Sequence, residues 1–246
     1  MARYTGYPSG RSFVHDYFPT GVKWLLITNT LIFVLTFLCP RELQGHITVV
    51  LALSAEAAVR NLFVWQLVTY MFLHGGIWHL LFNMLTLWMF GIQLERDWGT
   101  RRFLKYYFYC GIAAAICVLA VNILLGYWGT ITLGASGAIF GVLVAFGVMY
   151  PNQTVLMNFL FPIKAKYLVM IYVGIELLVT FGRNTGVSTI AHLGGAAFGF
   201  VYLKGRLPRV LLPDVSGAYR QWKLRRAKKK FQTYINKHSD RGPWVN

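Results

Sequence analysis

Between Val22 and Cys39 the chain is apolar apart from one early lysine and a few hydroxyl and amide side chains, and the run stops at Pro40, which cannot extend a helix. Comparable runs recur from about Trp78 to Leu94 and from about Phe103 to Leu125. A shorter one opens at about Ser136 and ends before Pro151, and two more cover about Tyr167–Phe181 and Ile190–Leu203. The fifth run admits an earlier onset, near Val155. A helix crossing a hydrocarbon layer about 30 Å thick needs roughly 20 mostly apolar residues, so the pattern predicts six membrane helices. Between the first two lies an apolar stretch, Ile47 to Thr69, broken by Ser54, Glu56, Arg60 and Asn61. It is too interrupted for a span. Short helices lying in the interface fit it better, because irregular backbone at membrane depth has to be sheltered by protein or water.

Composition agrees. The 246 residues are 56% hydrophobic and 13% charged, against about 45–50% apolar and about 25% charged in an ordinary soluble domain. Met1 to Thr20 is polar and aromatic with no apolar signal-peptide core, so no cleaved targeting segment is expected. Cys39, Cys110 and Cys117 all sit in apolar runs without framework spacing, and predict neither a disulfide scaffold nor a zinc site.

Charge sets the expected orientation. With the N-terminus inside, the inner segments hold 21 of the 24 Lys and Arg, twelve of them from Lys204 onward, and the outer loops keep Arg41, Arg60 and Arg183. The positive-inside bias then puts both ends in the cytoplasm. The division is a cytoplasmic segment 1–21, a membrane domain 22–205 and a basic cytoplasmic tail 206–246. That tail carries Arg220, Lys223, Arg225, Arg226, Lys228, Lys229 and Lys230. A cluster just inside a last span is better suited to anionic headgroups, at about 1 kcal/mol per basic residue, than to nucleic acid, and no nucleic-acid partner is expected.

Polar residues inside apolar runs are the functional candidates, since burying one unpaired costs roughly 2–7 kcal/mol. Gly134-Ala135-Ser136-Gly137 opens the fourth helix, where free backbone N–H groups favour developing negative charge. Taken alone, the serine is more readily explained as a helix cap. His192 lies within Ala191-His192-Leu193-Gly194-Gly195. Gly195 and Gly199 in the sixth helix, and Gly137 and Gly141 in the fourth, form small-residue faces that permit close approach. If those faces pack, the Ser136 hydroxyl and the His192 imidazole come within hydrogen-bond reach, as an activated nucleophile requires. Phe140, one turn from Ser136, is placed to pack on the imidazole. His74, His79 and Asn83 form a third cluster; His79 and Asn83 are one turn apart and project the same way, two donors suited to an oxyanion. No His-Glu-x-x-His occurs, so no metal is expected. Glu176, in the fifth helix, is expected to have a structural role, and Glu95 an ion pair near Arg96, Arg101 and Arg102.

Assembled in this order, HGGIWHLLFNM from His74, Gly91-xxx-Glu95-xxx-Gly99, GASGAIFG around Ser136 and AHLGGAAFG around His192 resemble the rhomboid family of intramembrane serine proteases. The resemblance covers about Phe63 to Leu203. It implies an all-α, six-transmembrane-helix bundle with an interfacial first outer loop and a water-filled site that needs no cofactor. Ser136 would be the nucleophile and His192 the base. Asn83, His79 and the Ser136 backbone N–H would hold the oxyanion, with His74 and Phe140 supporting and Gly134, Gly137, Gly195 and Gly199 shaping the site. No acidic third member is evident, so packing would orient the base. Substrates would be transmembrane helices of other proteins, and the expected location a bacterial inner membrane. Where many members have Trp-Arg in the outer loop, this chain has Trp65-Gln66, which leaves the loop's anchor to be identified. The competing reading is an inactive relative that binds membrane helices; it would ordinarily lack the serine or the histidine. The sequence does not reveal an oligomeric state.

Overall fold

The computed structural model describes residues 18–157, 161–180, 187–205, 223–229 and 231. Most of the expected N-terminal segment and of the basic tail lies outside them. Residues 223–229 are helical and belong to a unit, Gly205–Asn246, separate from Met1–Lys204.

In the larger unit the elements run α1 (Thr20–Leu38), α2 (Arg41–Leu51), a π-helical turn (Glu56–Arg60), α3 (Gln66–Thr69) continuing into a 3-10 turn (Tyr70–Phe72), α4 (Ile77–Trp98), α5 (Thr100–Leu124), α6 (Ser136–Met149), β1 (Thr154–Met157), β2 (Phe161–Lys164), α7 (Ala165–Thr180) and α8 (Val187–Leu203). Helices α1, α4 and α5 are long and apolar enough to cross a membrane, while α6 and α8 are shorter and apolar. Their outward faces are apolar too: Trp24, Leu35, Phe37 and Leu38 on α1, and Trp78 and Phe82 on α4, are exposed. A soluble bundle would put charge there. The chain is an integral membrane protein.

The apolar runs give helices close to their expected limits, with one correction. The segment from Val155 does not begin the fifth helix; it pairs as an antiparallel ribbon, Val155 opposite Ile163 and Leu156 opposite Pro162. Pro162 explains this. In a helix interior its ring would clash and remove a hydrogen bond, whereas a two-stranded ribbon leaves an open edge on which a residue without an N–H is tolerated. Helix α7 therefore starts after the ribbon, at Ala165.

The connection between α1 and α4 is built from short helices, and the missing arginine is replaced by an amide clamp. Gln66 is completely buried. Its Nε2 donates to the carbonyls of Val49 (2.9 Å) and Val50 (3.3 Å), and its Oε1 accepts from the Ser54 N–H (3.2 Å). Trp65 Nε1 donates to Val50 O (2.8 Å) and Thr69 Oγ1 to Leu51 O (2.7 Å). The last carbonyls of α2, which have no partner within the helix, are thus satisfied by side chains of α3 and its first flank. A glutamine can do this because carbonyl acceptors need donors rather than charge.

Glu95 also differs from expectation. It is 2% exposed and pairs with none of the three nearby arginines. Its oxygens accept the backbone N–H groups of Gly21 (2.6 Å) and Val22 (2.7 Å) and the Thr100 hydroxyl (2.6 Å). A carboxylate from the end of α4 therefore closes the N-terminus of α1, where unpaired N–H groups and the helix dipole favour negative charge. Residue 21 has to be small: a Cβ there would lie 3.0 Å from both Glu95 oxygens. Gly91, one turn before Glu95, lets Val22 and Phe103 close over it, and Gly99 takes φ +78° at the tight turn into α5.

Candidate active site

Four elements converge on Ser136. The loop ahead of it is tied to the α1–α4 connection: Leu53 and Thr132 exchange backbone hydrogen bonds (2.9 and 2.8 Å), and the Gly134 N–H donates to Tyr70 O (2.9 Å). Tyr70 is buried and its hydroxyl donates to Gly111 O on α5 (2.7 Å). Gly134 has φ +121°, a conformation that side-chain-bearing residues rarely adopt. A Cβ there would also meet the His79 ring at 2.8 Å and lie 3.8 Å from Ser136 Oγ. The close approach of chain to imidazole explains the glycine.

Ser136 does not cap α6. The capping position is Ala135, with no side-chain bond, and Ser136 is the first helical residue. Its hydroxyl points instead to α8, where Ser136 Oγ and His192 Nε2 are 2.7 Å apart. Helix packing brings them together. A Cβ on Gly195 would run into the carbonyl of Gly137; one on Gly141 would meet Cys110 Sγ at 2.5 Å and Gly195 O at 3.3 Å; one on Gly199 would lie 3.1 Å from Gly141 Cα. The two glycine faces are in backbone-to-backbone contact, and the side chains just above them, Ser136 and His192, have nowhere to go but toward each other. Phe140, one turn along α6, stacks on the His192 ring with centroids 4.3 Å apart and planes within 8°. That stacking fixes the ring plane so that Nε2 faces the hydroxyl.

The opposite ring nitrogen also has a partner. His192 Nδ1 lies 2.7 Å from Glu176 Oε1, both side chains 17% exposed. The expectation that no acidic side chain stands beside this imidazole is corrected, since Glu176 from α7 lies within hydrogen-bond distance of it. A sequence signal existed. Glu176 and His192 stand at nearly equal distances on either side of residues 181–186, so two neighbouring helices joined there would hold them at similar depth. Glu176 attracts notice as an acid in a span, but its partner emerges only once that symmetry is considered.

Across the cleft, His74 and His79 meet edge to face with centroids 5.1 Å apart. Burial, and secondarily the neighbouring His79, hold the His74 imidazole down to about 4 from its ordinary 6.5; it is a neutral packing group at physiological pH. Asn83, one turn beyond His79 on α4, is 7% exposed, and its Nδ2 has no hydrogen-bond partner in the protein. A buried amide donor left unpaired is costly, and this one is free to meet an acceptor that the protein does not supply. The ten residues that the resemblance assigns to the site all lie within the described structure. Ser136, His192, Phe140 and the glycines are joined by direct contacts, His79 joins them through Gly134, and His74 and Asn83 adjoin His79. Glu176 is the addition.

Residues 62–209 match the family model for the Rhomboid domain. RHOMBOID-like protein 4 of Arabidopsis thaliana is 35% identical over 138 residues, which are 56% of this chain and 32% of that protein. The putative rhomboid protease YdcA of Bacillus subtilis is 34% identical over 137 residues, 56% of this chain and 64% of that protein. Rhomboid protease GluP of the same organism is 34% identical over 167 residues, 65% of this chain and 30% of that protein. The chain thus spans less than two thirds of the length of each. The domain match covers α3 through α8 and contains every residue of the site just described. This chain belongs to the rhomboid family.

Proposed function

We propose that this chain is an intramembrane serine endopeptidase that hydrolyses peptide bonds in or near the transmembrane helices of other membrane proteins. The observation that carries the reading is the 2.7 Å contact between Ser136 Oγ and His192 Nε2, inside a unit whose outward faces suit lipid. Proteases among its relatives support it. The inactive, helix-binding alternative gains nothing from a serine and an imidazole held in hydrogen-bond contact.

In this reading six helices, α1 and α4 to α8, span the bilayer, both termini are cytoplasmic, and the α1–α4 connection lies in the outer interface. The membrane domain covers 22–205, with 1–21 and the basic 206–246 as cytoplasmic segments, the latter facing anionic headgroups. Helix α6 has 14 residues, about 21 Å of rise, against a hydrocarbon layer of about 30 Å. Its first residue, Ser136, then starts below the outer surface. Hydrolysis there needs water, which the polar side chains of Ser136, His79, Asn83 and His192 can hold. The relatives named above come from a plant and a bacterium, and the ground for a bacterial inner membrane is the plain six-helix form without a seventh span, which the family resemblance associates with bacteria.

The chemistry follows from the contacts. Ser136 Oγ attacks the scissile carbonyl carbon while its proton passes to His192 Nε2, which has to be neutral beforehand. The carbonyl oxygen becomes an oxyanion, met by the unpaired Asn83 Nδ2, the His79 ring and the Ser136 N–H, which as the first in α6 is not used within the helix. Collapse breaks the C–N bond, and His192 returns the proton to the leaving amine. Water then attacks the acyl-serine, again giving its proton to His192; the ester C–O bond breaks, His192 returns the proton to Ser136 Oγ, and the new carboxyl terminus leaves. No cofactor or metal enters this scheme.

The test uses the full chain, purified and reconstituted in vesicles with a transmembrane-helix substrate bearing fluorophores on either side of its outer end. The wild type is expected to cleave it and Ser136→Ala to leave it intact. Cleavage at equal rates by both would reject the proposal.

A further inference from the structure

The dyad chemistry above uses only one nitrogen of His192, and the other is occupied. We propose that Glu176 is a positioning residue that makes the site a Ser–His–Glu triad: its carboxylate accepts the His192 Nδ1–H, so that Nε2 is the unprotonated nitrogen presented to Ser136. The inference rests on the protease reading and deepens it.

Three observations carry it. The first is geometric. Oε1 of Glu176 and Oγ of Ser136 sit on opposite nitrogens of one imidazole, each 2.7 Å away, while Phe140 stacked at 4.3 Å fixes the plane that contains both contacts. Stacking sets the plane but is indifferent to which nitrogen carries the proton; a carboxylate on Nδ1 is not. The second is placement. Glu176 is an acid in the middle of an apolar helix, where a charged side chain is costly and calls for a partner. Among the described residues its side-chain partner is His192. The third is how little else holds α7: its buried residues are Ala165 and Leu168, near its start. At the level of Glu176 the helix is joined to α8 by this polar contact. An acid retained only for packing would be expected where packing is dense.

Glu176 is the acid that faces the base among the described residues, while α5, packed on α8, brings the Cys117 thiol beside Gly194 and the Tyr106 hydroxyl beside Gly199. Helix α6 carries no titratable side chain, and α8 has only Tyr202 besides His192. On α7 itself Lys166, Tyr167 and Tyr172 stand at least a turn away. Helix α4 contributes His79, close enough to interact with His192. Arg183, in the connection, lies outside the described residues. When Ser136 gives up its proton, the imidazolium forms between the Glu176 carboxylate and the developing oxyanion. The negative charge of Glu176 stabilises that cation without taking the proton itself.

The test compares the full-length wild type with Glu176→Gln, which preserves size and keeps hydrogen-bonding capacity but removes the charge and offers Nδ1 a donor. Expected are a fall in kcat of about 10²- to 10⁴-fold, by analogy with neutralising the acid of a serine-protease triad, and a KM changed by no more than about threefold, because Glu176 does not touch substrate. A residue that only packs would lower activity without changing which nitrogen of His192 carries the proton. The second measurement needs no turnover. In histidine-¹⁵N-labelled protein at neutral pH, His192 should carry its proton on Nδ1 in the wild type and lose that preference in Glu176→Gln. A wild-type His192 protonated on Nε2, or a Glu176→Gln variant with kcat within twofold and an unchanged nitrogen spectrum, would overturn the triad. A wild type with no turnover would count against the protease reading, while the nitrogen spectrum still decides the role of Glu176.

Discussion

Glu95 and Glu176 are both acids within apolar helices, and they sit in surroundings that differ in one respect. Around Glu95 every partner is a hydrogen-bond donor with no chemistry of its own: two backbone N–H groups at the start of α1 and the Thr100 hydroxyl. The group is sealed, at 2% exposure. Glu176 holds an imidazole, leaves both itself and that ring 17% exposed, and has the Ser136 hydroxyl on the far side of the same ring. Both acids lie within apolar helices, so that placement alone does not tell the two kinds of site apart. What the carboxylate touches, and what that partner touches in turn, does.

A further effect that sharpens this contrast lies on the oxyanion side. Asn83→Ala removes the unpaired donor, and kcat should fall about 10²- to 10³-fold with KM nearly unchanged, because the interaction exists only once negative charge develops. A loss confined to KM would reassign Asn83 to substrate binding. Glu95→Gln should do the reverse. It leaves an amide where two helix N–H groups need an anionic acceptor, and unfolding should become easier by about 1–3 kcal/mol. The kcat per folded molecule should remain within about twofold, read by active-site titration alongside a thermal melt in detergent. If Glu95→Gln cut kcat as deeply as Glu176→Gln while its melting temperature held, the distinction drawn here would collapse.

The same contrast shows what sequence reading reaches. Helix α6 was legible at both ends, from the glycines before Ser136 and from Pro151. The approach of α6 to α8 was legible from Gly137, Gly141, Gly195 and Gly199, because small residues at one-turn spacing have few other reasons to recur in apolar helices. Phe140 followed from its place one turn beyond Ser136. Partners set by tertiary contact were not legible. Nothing local says that Gln66 reaches the carbonyls of α2, or that Glu95 prefers the N–H groups of Gly21 and Val22 to three adjacent arginines. The β1–β2 ribbon escaped because its strands are apolar enough to pass as helix; Pro162 was the only dissent. Glu176 was visible as an anomaly but not as a contact, since its partner lies across a connection between helices.

The central claim is that Ser136 is a nucleophile made reactive by His192, and covalent labelling reads this with no substrate needed. Membranes containing the full chain, treated with a fluorescent fluorophosphonate, should yield one labelled protein whose modified peptide contains Ser136. Ser136→Ala should abolish the signal, and His192→Ala should reduce it by about 10²-fold or more. Equal labelling of all three proteins, or a label mapped to another residue, would contradict the account.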